Sequence, residues 1–441
     1  MTLHPVLLEK LSEAVTQGPP IPLTQRDARL PQVAGKVHSV IGMRRAGKTT
    51  FLRQLQRERR LERPPECAVY LSLDDDRLAD LGAQQLSLLL EEYFRRYPHL
   101  RGRERVSWFL DEIQLVQGWD RFVRRVIDSE HIDVVVSGSS ARMLSREVHT
   151  SLRGRGMETV IRPFSFREFL RHAGEEPTRA PKRWTAAERS RVEKRFLEYL
   201  ASGGFPEVQG LTTALRVELL QGYVDTVLFR DVVERYGVSQ VAALRWLARQ
   251  CLRNPAGSFS AHRFHQDLKS QGHGVAKDLV HAMIGYLEDA FLVSMLPIAT
   301  ESERRRNSNP RKVYPVDPGL IGAFDASRRA NVGHALETVV FNALAQRKAE
   351  LGYVKTEEGF EVDFHASYAG GRAELIQVCA DPSAAETQVR ELRALAGAER
   401  EHRGAVPRLL VLTRDQVSQI AAPGVQVQAV YEWLLSEPSV D

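Results

Sequence analysis

Short apolar runs and helical periodicities alternate along the first third of the chain. The β-type runs fall at residues 37–41, 68–73, 106–110 and 132–136, and apolar residues recur at helical spacing over 49–60, 84–97 and 119–129. Runs that are apolar on both faces need cover on both, and the intervening helices are long enough to cross back over a sheet. The alternation predicts an α/β domain built on a parallel sheet with flanking helices. Pro163-Phe164-Ser165-Phe166 interrupts this rhythm, and Pro177 and Pro181 mark a charged linker before a helix beginning near Thr185. Ser202-Gly203-Gly204-Phe205-Pro206 is a second break.

Between 241 and 316 the pattern changes to three helices and a hairpin. Leu244, Leu247 and Cys251 share one helical face, 262–269 reads as a second helix and 277–291 as a third. Residues 292–296 and 311–315 read as two strands joined by the basic run Arg304-Arg305-Arg306. This is a winged-helix outline whose wing carries charge. Lys277, Arg304, Arg305, Arg306, Arg311 and Lys312 are the candidate contacts to a phosphate backbone, with a solvated arginine run as the alternative. The last 110 or so residues form a separate α/β pattern. There a helix bearing Glu337, Val340 and Leu344 precedes strands at 359–364 and 373–379 and a buried strand at 409–412. The expected division is 1–180, 181–240 (a helical lid), 241–325 and 326–441.

Composition narrows the class. With 43% hydrophobic and 27% charged residues the chain reads as globular, and no apolar run approaches a membrane span. The first fifteen residues lack a basic leader and contain Glu9 and Lys10, so a cytoplasmic protein with no membrane partner is expected. Three widely spaced cysteines exclude a disulfide framework or a zinc ribbon. The net charge of +5 is compatible with a nucleic-acid partner, but 51 arginines against 10 lysines reflect coding bias as readily as phosphate recognition. Position therefore matters more than the total.

The most specific chemistry is Gly42 to Thr50, which satisfies the phosphate-binding pattern G-x-x-x-x-G-K-[ST] between an apolar run and a helix. Glycines let the backbone N–H groups curl around phosphates, Lys48 reaches the terminal ones and the Thr49 hydroxyl suits Mg²⁺. The nucleotide set is Gly42, Arg45, Ala46, Gly47, Lys48, Thr49 and Thr50. The run at 106–110 ends in Asp111 and Glu112, where one acid can hold Mg²⁺ with Thr49 and the next can polarise water. Ser139, after the run at 132–136, is a candidate sensor of the terminal phosphate; a helix N-cap is the alternative. The absence of an N-K-x-D guanine-reading motif favours ATP with Mg²⁺ as the cofactor pair, and GTP stays open on the motifs alone.

Taken together, GMRRAGKTT, WFLDE, VSGSSARML, LRGRGMETVIRPFSFREFL, SGGFPEV, FRDVVERYG, VYPVDPGL, GHALETVVFNAL and EVDF resemble, in that order, a family of AAA-like prokaryotic P-loop ATPases. The family carries a helical lid, a winged helix and a C-terminal restriction-endonuclease-like domain. The resemblance implies an AAA+-type ATPase working as a homo-oligomer, a hexamer among the ring sizes, in which an arginine reaches a neighbouring site. Arg155 is the candidate for that arginine, with Arg153 a rival and a structural ion pair the alternative. In the last domain Glu337, Asp363 and Gln377 match three roles of a metal-dependent nuclease, but Cys379 stands at the lysine position. A neutral thiol cannot supply the missing charge, so a vestigial, non-cleaving domain is expected. The reading is an ATP-driven motor or remodeller on duplex or branched DNA. A nucleotide-controlled switch that binds a protein partner and an ATP-gated nuclease are the alternatives.

Overall fold

The computed structural model describes residues 2–18, 23–31, 33, 35–138, 154–325 and 331–436. The chain divides after Arg162 into two compact units.

The first unit, residues 1–162, is an α/β layer. Its strands are β1 (Val37–Ile41), β2 (Ala68–Ser72), β3 (Val106–Asp111), β4 (Ile132–Ser137) and β5 (Gly156–Val160), in the order β2-β3-β4-β1-β5 and all parallel. β1 and β3 are buried along their whole length, the polar His38, Ser39, Ser107 and Asp111 included. β5 was not foreseen, because Gly156-Met157-Glu158-Thr159-Val160 is polar enough to lie at an edge, where Val160 is 39% exposed. Val40, Phe51, Leu52, Tyr70, Phe109 and Val135 join β1 to β4 and the helix Lys48–Glu62 in one core. An N-terminal helix, Pro5–Thr16, buries Val6, Leu7, Leu11 and Ala14. Its Lys10 pairs at 2.9 Å with Asp75 of the acidic turn 74–76, so that turn is anchored and not simply solvated.

The second unit begins at Pro163. Helix Ala186–Ser202 opens with Thr185 and Glu188 in a reciprocal capping box, as the sequence signalled. Helices Val241–Arg253, Ala261–Ser270 and Lys277–Asp289 accompany a three-stranded antiparallel sheet in the order β6-β8-β7, in which β6 (Ser258–Phe259) lies between the first two helices and β7 (Val293–Leu296) and β8 (Arg311–Pro315) follow the third. The arginine run differs from the expected open hairpin tip. It lies on a short helix, Glu303–Ser308, capped by Ser302, because a serine followed by Glu-Arg-Arg-Arg supplies an N-cap and a helix-forming turn.

The C-terminal sheet comprises β9 (Glu350–Lys355), β10 (Glu361–Ser367), β11 (Ala373–Cys379), β12 (Val406–Val411) and β13 (Gln426–Ala429), in the order β13-β12-β11-β10-β9. Pairing is antiparallel from β9 to β11 and parallel from β11 to β13. Side-chain alternation gives the sheet two cores. Phe364, Ile376 and Leu410 pack with Leu336, Val340 and Leu344 of helix Val332–Gln346. Val362, Leu375 and Leu409 pack with Ala394, Leu395 and Ala398 of helix Ala385–Glu401.

Candidate nucleotide site and a buried charge centre

The loop from Gly42 to Gly47 turns through three left-sided conformations, at Gly42 (φ 145°), Arg45 (φ 65°) and Gly47 (φ 100°). At Gly42 a Cβ would stand 2.1 Å from the carbonyl oxygen of Ile161, so glycine is required by space as well as by φ. Gly47 precedes the first turn of Lys48–Glu62, so the loop leads into a helix N-terminus, the end that favours negative charge. The buried Lys48 ammonium donates to the carbonyls of Gly42 (2.9 Å) and Met43 (3.0 Å), holding the curl. Arg26, which the sequence reading missed, is also buried and donates to the Ala46 carbonyl at 2.9 Å.

Three hydroxyls converge on Asp111. Thr49 Oγ1 donates to Oδ2 at 2.8 Å, Tyr70 OH donates to the same oxygen at 2.6 Å, and Ser137 Oγ donates to Oδ1. The Ser137 oxygen also accepts the Glu112 N–H at 3.2 Å, so one side chain at the end of β4 ties both acids together. Glu112 itself adopts φ 56°, a left-handed turn that swings it out of the strand, and its Oε2 accepts a hydrogen bond from Gln114. The Arg53 guanidinium lies 3.4 Å from the Tyr70 ring centre. Burial pushes the Tyr70 phenol far above its ordinary range, and the nearby Asp111 charge adds to this, so Tyr70 is a fixed donor.

Lys48, Thr49, Asp111 and Glu112 are thus gathered at the carboxyl ends of β1 and β3. A glycine cradle, a helix N-terminus and a lysine fit a polyphosphate, and a hydroxyl beside a carboxylate is a hard-oxygen donor set that fits Mg²⁺. Ser139 lies outside the described residues, as does Arg153. The residue that β4 delivers to the acids is Ser137, two positions earlier. Arg155 sits at the opposite end of β1, where its carbonyl accepts the Val37 N–H at 2.8 Å and its side chain pairs with Asp128. It is not part of this chain's own loop site.

The basic candidates of the second unit separate into two groups. Lys277, Arg304, Arg305 and Arg311 are exposed, while Arg306 is half-buried, donates to the Thr300 carbonyl at 3.0 Å and pairs with Glu303. Lys312 must be removed from the phosphate-contacting set. It is 3% exposed, since every residue of β8 after Arg311 is buried, and its charge is committed to carboxylates.

Those carboxylates include two of the nuclease-type residues. Lys312 Nζ lies 2.9 Å from Asp363 Oδ1, 3.1 Å from Glu337 Oε1 and 2.8 Å from Glu361 Oε1. Gln377 is adjacent but turned to other partners: its oxygen accepts the Asp363 N–H at 3.2 Å and its amide donates to Glu391 at 2.7 Å. Burial pushes the Cys379 thiol up to about 11, so it stays neutral and supplies no charge. The sequence placed a lysine gap at Cys379; the fold brings a lysine to the same acids from β8.

An AAA domain family matches residues 34–170, and a domain of unknown function matches residues 193–330. The uncharacterised protein MJ1544 of Methanocaldococcus jannaschii is 32% identical over 359 residues, which is 80% of this chain and 77% of that protein. An uncharacterised Haemophilus influenzae protein is 28% identical over 335 residues, covering 75% of this chain and 79% of the relative. Among solved structures, a Walker-type ATPase of Pyrococcus abyssi aligns with a TM-score of 0.42 at 14% identity, over 73% of this chain and 95% of that one. No helix among the described residues is long and apolar enough to cross a membrane.

Proposed function

This chain belongs to the same family as the Methanocaldococcus jannaschii protein and carries the AAA domain of a P-loop ATPase, and from that premise we propose that it hydrolyses ATP to remodel DNA as a homo-oligomer. The observation that carries the hydrolytic part is the convergence of Thr49, Tyr70 and Ser137 on Asp111 beside the Lys48 loop. In this reading the backbone of 42–49 and Lys48 hold the phosphates, and Thr49 with Asp111 holds Mg²⁺. Mg²⁺, when bound, supplies charge neutralisation on the phosphate oxygens. Glu112 orients the attacking water, and Ser137 fixes the two acids relative to each other.

The DNA part rests on the second unit. The order helix-β6-helix-helix-β7-β8 with β6-β8-β7 pairing supports the winged-helix reading, and Arg304, Arg305 and Arg311 are exposed. The helix-β-β-β-helix-β order of the C-terminal part matches a restriction-endonuclease-like arrangement. The domain division at 180, 240 and 325 is part of the same proposal. Fluorescence anisotropy with a labelled duplex tests it. The proposal expects log affinity to fall linearly with log salt, and an R304Q/R305Q variant to bind more weakly with a slope reduced by about 1 to 2. Affinity indifferent to salt and to the variant would turn the search to a protein partner and the nucleotide-switch reading.

A further inference from the structure

The charge centre on β8 has a stoichiometry that its parts explain. An ammonium has three N–H donors, and three carboxylate oxygens, from Glu337, Glu361 and Asp363, stand 2.8 to 3.1 Å from Lys312 Nζ. Two of these acids take a further donor: Asp363 accepts the Val378 N–H on its other oxygen, Oδ2, at 3.0 Å, and Glu337 Oε1, the oxygen that faces Lys312, also accepts the Tyr314 hydroxyl at 2.6 Å. The three acids arrive from two elements, helix Val332–Gln346 and β10, and they converge on one point. Carboxylate oxygens are the ligands a hard divalent cation takes, although as they stand around the ammonium no group of acids among the described residues is set to hold a metal ion. Here that point is taken by nitrogen. An ion with its own oxygen shell at about 2.0 to 2.6 Å could not share it with a second cation.

We propose that Lys312 is a built-in cation standing where a divalent metal would stand, so that the C-terminal acid centre of this chain is closed to metal, and that removing the lysine charge opens a site for a hard divalent ion held by Glu337, Glu361 and Asp363. The inference is independent of the ATPase reading. It replaces the expected explanation of a silent nuclease-type centre, a missing lysine at Cys379, with a filled one. Burial works to lower the Lys312 pKa, but the surrounding carboxylates outweigh it and raise it, so the side chain stays charged. The lysine also follows directly on the exposed Arg311 in β8, so the same strand that presents charge to solvent seals the acid centre.

The test uses the full chain and MnCl₂. Binding is followed by calorimetry and by thermal melting, for wild type, Lys312→Met, and a K312M/E337Q/D363N control that keeps the nucleotide loop intact. The expected result is Mn²⁺ binding to K312M at least about tenfold tighter than to wild type. Mn²⁺ should also raise the melting temperature of K312M by more than that of wild type or the control, which share with it only the nucleotide-loop site. Should K312M not fold without metal, refolding with and without Mn²⁺ gives the same reading. K312M/E361Q, which keeps Glu337 and Asp363 with less unpaired charge, provides the second variant. Two results overturn the proposal: wild type binding Mn²⁺ as tightly as K312M in a manner lost on D363N, or neither lysine variant gaining metal binding or metal-dependent stability.

Discussion

The environment of Asp111 shows how one carboxylate is held by non-local partners. Tyr70, Thr49 and Ser137 come from three different elements, and each gives Asp111 an O–H donor. Ser137→Ala should lower kcat for ATP by about 10²-fold while leaving nucleotide binding nearly unchanged, because it loosens both acids and touches no phosphate-cradling group. Equal losses in binding and turnover would show that Ser137 acts on the loop instead. Tyr70→Phe removes a short bond to a buried charged acceptor and should cost about 1 to 3 kcal/mol in urea denaturation of the first unit. The loop itself was legible in the sequence because phosphate binding needs contiguous residues with glycines at fixed offsets. Ser137 was not, since Ser137, Ser139 and Ser140 are alike in sequence. Only the β3–β4 register, which sets Leu110 beside Val136, selects Ser137 as the neighbour of Asp111. Arg26 and Lys312 were missed or misplaced for the same reason: a buried cation has no local signature when its partners lie tens of residues away.

Elements meet most tightly in the second unit at two glycine-bearing turns. Asp317 is buried, and its carboxylate accepts the N–H groups of Gly204 (2.6 Å) and Gly319 (2.9 Å). A Cβ on Gly204 would stand 2.1 Å from the Phe164 carbonyl oxygen. Gly204→Ala should therefore destabilise this unit by about 3 kcal/mol, measured by urea denaturation, because neither backbone can yield cheaply. Burial pushes the Asp317 carboxyl up to about 7 from an ordinary 3.8, against the two N–H bonds. A group whose folded pKa is raised favours the folded state while protonated. Its contribution is complete below about 3.8 and is lost as pH rises through about 7. Urea midpoints across that window should show a falling component in wild type that is absent from Asp317→Asn. An identical pH slope in the two would refute this. The sequence marked these turns as breaks, through Gly203-Gly204 and Pro318-Gly319, but not that one aspartate joins them, because the pairing spans 113 positions. Strands β6, β9 and β13 escaped notice in a similar way, being short or mixed in polarity and defined by their neighbours in the sheet.

At the scale of the molecule the chain holds two charged centres of opposite logic. In the first unit, Lys48 and the Thr49–Asp111 pair are arranged around a loop that suits a polyphosphate and Mg²⁺. In the second, three acids already surround their own cation, Lys312. The α/β class, the parallel sheet of the first unit and the adjacent acids at the end of β3 were readable from periodicity and motif. How the basic residues divide between surface and interior was not, because net charge carries no information about burial. The account predicts that chemistry resides in the first centre. The most direct test is steady-state ATP hydrolysis by the full chain, alone and with duplex, single-stranded and four-way-junction DNA, against Lys48→Ala and Glu112→Gln. Turnover that K48A and E112Q both abolish, with E112Q still binding ATP and one DNA form raising the wild-type rate several-fold, is the predicted result. Hydrolysis that persists in E112Q, or a chain that does not bind ATP at all, would contradict it.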